Sequence, residues 1–452
     1  MACRVRALNV THVHPTQTGD PSPPNHAEYK LSFFDLFHIT TMPMQWLFFF
    51  DGPDLPPFPS IIRTLQSSLA DTLAIFFPLV GKLAFRASSC DIVIDCSPDA
   101  VASGVKFIEA EFCGDADDMR HLAMDHEHDT EVFEQLVPEL EAAQLPSPVL
   151  AVQVTRSAGD GGAIAVGMSI LHAVADGRSV WQFMRTWSTV AREGWQSASG
   201  LEPPTFDRTV IPYPRSEEVA RKIMHTIAPA LPVVRSPSLC TPPDQHRRRS
   251  FLLHANQIQW VKQRILAQNE AMGQPLSTYP ISTFVAVSAL VWTSIVRAKS
   301  MDPATDAYYH VTMDLRRRLI PPVDERFFGN CVAPCFARAA VGDLCDNGAC
   351  LRCAAAAIRE AIAAALKGDP LGGVDGWLES LAAIPKERLT RTGSSNRFMA
   401  YETDFGWGKP SRVELVLLSV GELVLLLGAR EEGVVQVTVA LDHEHMDGFA
   451  TN

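Results

Sequence analysis

The sequence predicts an α/β (α+β) fold in two domains, and three observations lead there. The chain has 452 residues, about three times a typical single domain, so two sizeable cores are expected. Hydrophobic residues make up 47% and charged residues 20%, which is ordinary for a globular chain and far from the composition of disorder. Strand-like and helical runs occur in both halves.

In chain order, VRALNVTHV reads as an opening strand, followed by the strand-like runs LSFFDLFHI and WLFFF, closed by Asp51-Gly52-Pro53. Ile61, Leu65, Leu69 and Leu73 recur every four residues and predict a helix from Pro59 to Phe77, which Pro78 ends. DIVIDC, VKFIEAEF and VLAVQVTRS read as strands, the last joined to AIAVGMSI by the GDGG turn in a hairpin. A helix is expected over Arg178 to Val190, then a polar, proline-rich stretch with little periodicity. The second half predicts helices near 255 to 271 and 278 to 298, a strand entering MDLRRRL, and an alanine-rich helix over 343 to 366. A helix around Trp377 to Ile384 follows, then strands at VELVLLSV, ELVLLLG and VVQVTVAL. The expected division is an N-terminal domain 1–196, a crossover linker 197–245 and a C-terminal domain 246–452.

A net charge of −12 and a pI near 5.6 repel polyanions, which argues against nucleic acid or an anionic membrane as partner. The longest nearly apolar stretch, Ile281 to Val296, is interrupted by Ser and Thr and is too short to span a bilayer. The start MACRVRALNV reads as neither secretory signal nor transit peptide, so a cytoplasmic protein is expected. The ten cysteines are scattered, unlike a disulfide framework, and Cys345, Cys350 and Cys353 run into an alanine-rich helix rather than toward a second ligand pair. DHEH occurs at 125–128 and at 442–445; both read as solvated polar turns, and no metal site is expected.

SILHAVADGRS places His172 and Asp176 four apart where an apolar strand gives way to Gly177 and a helix. An imidazole held there faces a cleft from a rigid element and titrates near neutral pH, as a general base must. Asp176, just before a glycine, is placed to bond backbone amides or an arginine and fix the loop. Alone, this pentapeptide fits a buried histidine with a capping aspartate better than a catalytic base. YETDFGWGKP at 401–410, with two aromatics between glycines, reads as a rigid loop of fixed shape.

In this order, HAVADG and DFGWG resemble the BAHD family of plant acyl-CoA-dependent acyltransferases. The resemblance spans the chain, through LSFFDL, FFPLVGKL, STFVAVSALVW and MDLRRRLIPPVDERFFGNC. FFGNC is similar to the YFGNC signature of the anthocyanin and phenolic-glucoside malonyltransferase clade, with Phe327 in place of Tyr.

The resemblance implies two chloramphenicol-acetyltransferase-like domains of mixed sheet flanked by helices, with a solvent channel between them and His172 near its middle. His172 then deprotonates an acceptor hydroxyl, which attacks the thioester. Asp176 pairs with Arg316, and Asp404, Gly406, Trp407 and Gly408 form a structural loop. Acyl-CoA, with malonyl-CoA favoured, is co-substrate; no cofactor is permanently bound, and a monomer is implied.

Arg247, Arg248 and Arg249 form the densest basic run, expected just ahead of a strand entering the second domain, and are candidates for the coenzyme's phosphates. Ser282 and Thr283 open a helix whose amides suit an anion. Arg178 is the candidate for a malonyl carboxylate, and Thr403 for the oxyanion. The runner-up is a hydroxycinnamoyl or acetyl transferase acting on an alcohol, amine or polyamine. A condensation-type domain is disfavoured by Leu171, which stands where that group's HHxxxDG motif has its first histidine; an inactive binding homologue is disfavoured by the intact His172.

Overall fold

The computed structural model describes residues 4–16, 27–159, 162–198, 200–234, 246–273, 280–416 and 422–451, the side chains of 197 and 198 excepted. The chain packs into two compact units. One comprises Met1–Thr241, Ile320–Cys331 and Met399–Ser419; the other comprises Pro242–Leu319, Val332–Phe398 and Val420–Asn452. The expected linker 197–245 therefore falls almost wholly within the first unit. DFGWG, expected on a C-terminal domain, also belongs to the first unit, because the chain returns to it twice.

The first unit is built on a six-stranded sheet in the order Val5–Val13, Val105–Phe112, Leu150–Arg156, Ala163–Ile170, Met44–Asp51, Arg412–Leu415. All neighbours are antiparallel except Val105–Phe112 with Leu150–Arg156. Two neighbouring interior strands, carrying AIAVGMSI and WLFFF, are hydrophobic without alternation, because both faces of the sheet are covered there. On one side Leu47, Phe49 and Ala165 pack with Phe133 and Leu136.

The helix Gly177–Glu193 buries Val180, Phe183, Met184, Trp187 and Val190 at three- and four-residue spacing, and it packs on Phe58–Ile75. Trp187 Nε1 donates to Ser68 Oγ at 3.1 Å, so the large ring is buried with its polar atom satisfied.

The second unit holds two smaller sheets. One runs His246–Leu253, Val435–Asp442, Leu423–Gly428, Thr392–Gly393; the other runs Val332–Ala340, Asp306–Asp314, Leu389–Thr390. The helices Ala255–Ala271 and Thr283–Ala298 supply Ile258, Val287, Val291 and Ile295 to the core over the first of these sheets.

Four local expectations change. LSFFDLFHI is no strand: Phe33–Leu36 is a helical turn, because Ser32 and Asp35 form a reciprocal capping box. The alanine-rich helix is broken into Val341–Cys345 and Cys350–Ala365 by an Asp346-Asn347-Gly348 turn, in which Asp346 Oδ1 accepts from the Gly348 amide at 2.9 Å. The basic run lies inside a strand rather than ahead of it. The first DHEH is not wholly a solvated turn, for the His128 side chain is only 3% exposed.

His128 sits against Arg412, whose guanidinium also meets Glu414 Oε1 at 2.7 Å and the carbonyls of Ala123 and Asp125. The C-terminal part of VELVLLSV and most of the segment 231–245 lie outside the described residues. Among the described residues, no helix is long and apolar enough to cross a membrane, and no three His, Cys, Asp or Glu side chains gather as a metal set.

Candidate active site

His172 stands two residues beyond the buried strand Ala163–Ile170, at the start of a turn that leads into the helix Gly177–Glu193. Asp176 is that helix's N-cap. Its Oδ1 accepts from the Ser179 amide at 3.0 Å, and its Oδ2 accepts from the Cys331 amide at 3.2 Å. The carboxylate thus closes the helix start and ties it to the FFGNC segment 155 residues later. Ser179 Oγ adds to that tie, bonding the Gly329 carbonyl and amide.

The turn itself is gripped through its carbonyls. Asn330 Nδ2 donates to the His172 carbonyl at 2.8 Å, and Arg208 reaches the Val174 carbonyl. Both grips are anchored on Asp35, which is fully buried. Its Oδ1 accepts from the Asn330 amide and Nδ2, each at 2.9 Å, while its Oδ2 faces Arg208 Nε at 3.3 Å and Ser32 Oγ at 2.8 Å. Four motif fragments, LSFFDL, HAVADG, the Arg208 turn and FFGNC, therefore converge on one backbone turn.

The His172 ring lies flat against that of His38, with centroids 3.9 Å apart and planes 5° from parallel. Nδ1 is sealed from solvent and has no hydrogen-bond partner of good geometry, while the residue as a whole stays half-buried. Nε2 is thus the ring nitrogen left to meet a substrate. Burial pulls the imidazole pKa below its usual 6.5, outweighing its own backbone carbonyl, the Asp176 charge, Asn330 and the Asp35 charge, all of which favour the protonated ring. At neutral pH the ring is an uncharged base.

The DFGWG loop is closed on itself. Asp404 Oδ1 accepts from the amides of Gly406 and Gly408 at 2.8 and 3.0 Å, and both glycines hold φ near +100°. Phe405 and Trp407 pack together and on Phe50, and Phe405 also meets Trp187 edge-on. The Asp404 carbonyl accepts from Arg192 Nη1 at 3.1 Å.

Two rulers measure how far this loop lies from His172. Along the helix, roughly 24 Å separate Asp176 from Arg192. Along the sheet, Phe50 pairs with Ile164, and roughly 20 Å separate Ile164 from Ile170. Asp404, Gly406, Trp407 and Gly408 are therefore on the order of 20 Å from the candidate base. Thr403, the candidate oxyanion donor, is buried one residue before Asp404 and shares that distance.

The other candidates occupy varied positions. Arg178 lies in the first turn of the helix that follows His172's loop and is ion-paired to Glu325. Arg316 is fully buried and bonds Asp314 Oδ1 at 3.2 Å. Arg247 pairs with Asp447 at 2.8 Å, Arg249 lies over the Phe251 ring, and Arg248 shares their strand. Ser282 caps Thr283–Ala298 through the Val285 amide, and Thr283 Oγ1 accepts from Lys262 Nζ at 3.2 Å. Sequence reasoning missed His38, Asp35, Asn330 and Arg208 as parts of this site.

A model of the Transferase family matches residues 10–452. The chain belongs to this family, the BAHD acyltransferases. Phenolic glucoside malonyltransferase 1 of Arabidopsis thaliana is 27% identical over 469 residues, covering 99% of this chain and 96% of that protein. The malonyl-coenzyme A:anthocyanin 3-O-glucoside-6''-O-malonyltransferase of Dahlia pinnata is 28% identical over 454 residues, covering 95% and 93%. Among solved structures, vinorine synthase matches with a TM-score of 0.75 at 18% identity, over 98% of this chain and 96% of that one, a likeness of fold. As a BAHD member the chain is an acyl-CoA-dependent acyltransferase of two mixed α/β domains, with acyl-CoA as co-substrate.

Proposed function

We propose that this BAHD enzyme moves a malonyl group from malonyl-CoA to a hydroxyl of a phenolic or flavonoid glucoside, with His172 as general base. The observation that carries the reading is the state of that ring: held by its turn, sealed at Nδ1, and kept uncharged at neutral pH by its burial. Nε2 takes the acceptor's hydroxyl proton as the oxygen attacks the thioester carbonyl. The tetrahedral intermediate then breaks its C–S bond, and the imidazolium returns the proton to the departing sulfur. No acyl-enzyme forms. Asp176 supports the base by holding the turn and by its charge, not by contact with the ring. The malonyl and glucoside assignments draw on the activities named for the Arabidopsis and Dahlia relatives.

Arg178 is the cation that meets the malonyl carboxylate, exchanging its Glu325 partner for the donor. Arg247, Arg248 and Arg249, with Ser282, Thr283 and the Lys262 beside them, serve the coenzyme's phosphates. The Arg178–Glu325 pair also favours a second reading. An arginine already neutralised suits an uncharged donor, such as a hydroxycinnamoyl or acetyl thioester.

Thiol release with a panel of acyl-CoAs against aryl and flavonoid glucosides decides between them. Arg178→Ala is expected to raise KM for malonyl-CoA by about tenfold while leaving that for acetyl-CoA unchanged; equal effects on both donors remove the assignment. His172→Ala is expected to abolish transfer. The acid limb of kcat/KM is expected below pH 6.5. A base whose pKa is depressed in the folded protein stays active until the pH falls through that lowered value.

A further inference from the structure

The stacked His38 ring is not explained by the chemistry assigned to His172 alone. A face-to-face pair at 3.9 Å and 5° is a tight constraint. Turning the His172 ring about its Cβ–Cγ bond would drive its edge into His38, so the second imidazole holds the plane in which Nε2 is presented. The pair also has an electrostatic consequence. Two imidazolium ions at this separation repel strongly, so the two rings are not both in the cationic form. When His172 becomes cationic in the transition state, the π face of a neutral His38 lies against it, a favourable contact for a cation.

We propose that His38 is a positioning residue of the active site: its imidazole fixes the reactive plane of His172, and the two stacked rings share at most one positive charge. This rests on the reading of His172 as the base. The charged groups around the pair are consistent with it. Asp35, three residues before His38, is occupied by Arg208, Ser32 and Asn330. Asp176, from the start of the long helix, has its oxygens on the Ser179 and Cys331 amides. Arg178 and Glu325, from that helix and the 320–331 segment, are paired with each other. Neither carboxylate near the rings hydrogen-bonds the His172 ring; its own carbonyl and Asn330 are the polar groups beside it, and His38 is the ring stacked flat upon it.

The test compares His38→Ala, which removes the ring, with His38→Phe, which keeps a flat ring but cannot carry charge. Transfer is followed with malonyl-CoA and a simple aryl glucoside. The pH dependence of His172 carbethoxylation by diethyl pyrocarbonate is read separately at the peptide level, without substrate. His38→Ala is expected to lower kcat on the order of tenfold with KM for both substrates within about twofold, and His38→Phe to recover most of kcat.

In His38→Phe the modification midpoint of His172 is expected to rise, by about half a pH unit or more, since a like charge is gone and an aromatic face remains. Coincident midpoints in the parent and His38→Phe overturn the proposal. So does an unchanged kcat in His38→Ala, or a raised KM for the glucoside with kcat intact, which would make His38 an acceptor contact. Should His38→Ala fail to fold, His38→Phe still decides through its midpoint. Turnover surviving in His172→Ala refutes the base and not the stacking, because carbethoxylation reads the ring pair independently of transfer.

Discussion

The long helix Gly177–Glu193 has a motif at each end, and the two ends solve different problems with the same residue type. At its start, Asp176 takes two backbone amides and holds the turn that presents His172 without bonding its ring. At its end, Asp404 also takes two amides, but the loop around it is filled by Phe405 and Trp407 and turns no reactive side chain outward. An aspartate that fixes a loop is common to both; only one loop carries the proposed base. The difference teaches that motif strength in a sequence is no measure of nearness to chemistry. DFGWG is the rarer pattern and sits on the order of 20 Å from the site.

The sharpest way to break this comparison is to alter both ends and read turnover and stability separately. His172→Ala is expected to cut kcat by about 10²–10⁴-fold or more with the melting temperature essentially unchanged. If turnover persists, the helix start is a structural cap like its other end.

Asp35→Ala comes next. It strips Arg208 and Asn330 of a buried acceptor, and removing one partner of a buried pair costs about 3–5 kcal/mol. Denaturant unfolding measures it, and a loss near zero would mean the turn is held by something other than this carboxylate. Asp404→Ala is expected to cost less, about 1–3 kcal/mol for two uncapped amides, with kcat per folded molecule preserved. A fall in kcat without a fall in stability would move the DFGWG loop toward the chemistry.

How much of this was legible follows from where each contact's information lies. The His172 turn, the Asp176 cap and the DFGWG loop depend on neighbours within a few residues, and the sequence pattern carries them. The grip on the turn depends on Asp35 meeting Asn330 across 295 positions, and no local rule pairs those two. FFGNC was visible as a signature, but its reason, an asparagine holding the His172 carbonyl, is a tertiary fact.

LSFFDLFHI illustrates a readable signal outweighed. Its apolar run looked like a strand, although Ser32-x-x-Asp35 is a capping box in plain sight. That misreading hid Asp35 and also His38, which follows the short helix directly. His128 failed for the opposite reason. Its local surroundings are acidic and polar, and its burial comes from Arg412 and Glu414, more than 280 residues later.

The smallest effect isolates backbone shape from packing. Gly408 holds φ +101°, and a Cβ placed there would meet nothing within 4 Å, so Gly408→Ala adds no clash and tests the conformation alone. The left-handed region costs a non-glycine residue on the order of 1–2 kcal/mol. Because the amide of Gly408 still points at Asp404 in that conformation, the loop is expected to survive with a modest loss of stability and unaltered kcat. Gly406 is a less clean probe, since its added Cβ would approach the Arg192 backbone at 3.7 Å. If Gly408→Ala changes kcat or the donor KM while stability holds, the loop's shape reaches the reaction through the helix whose last turn it contacts at Arg192. The two ends would then be one device rather than two.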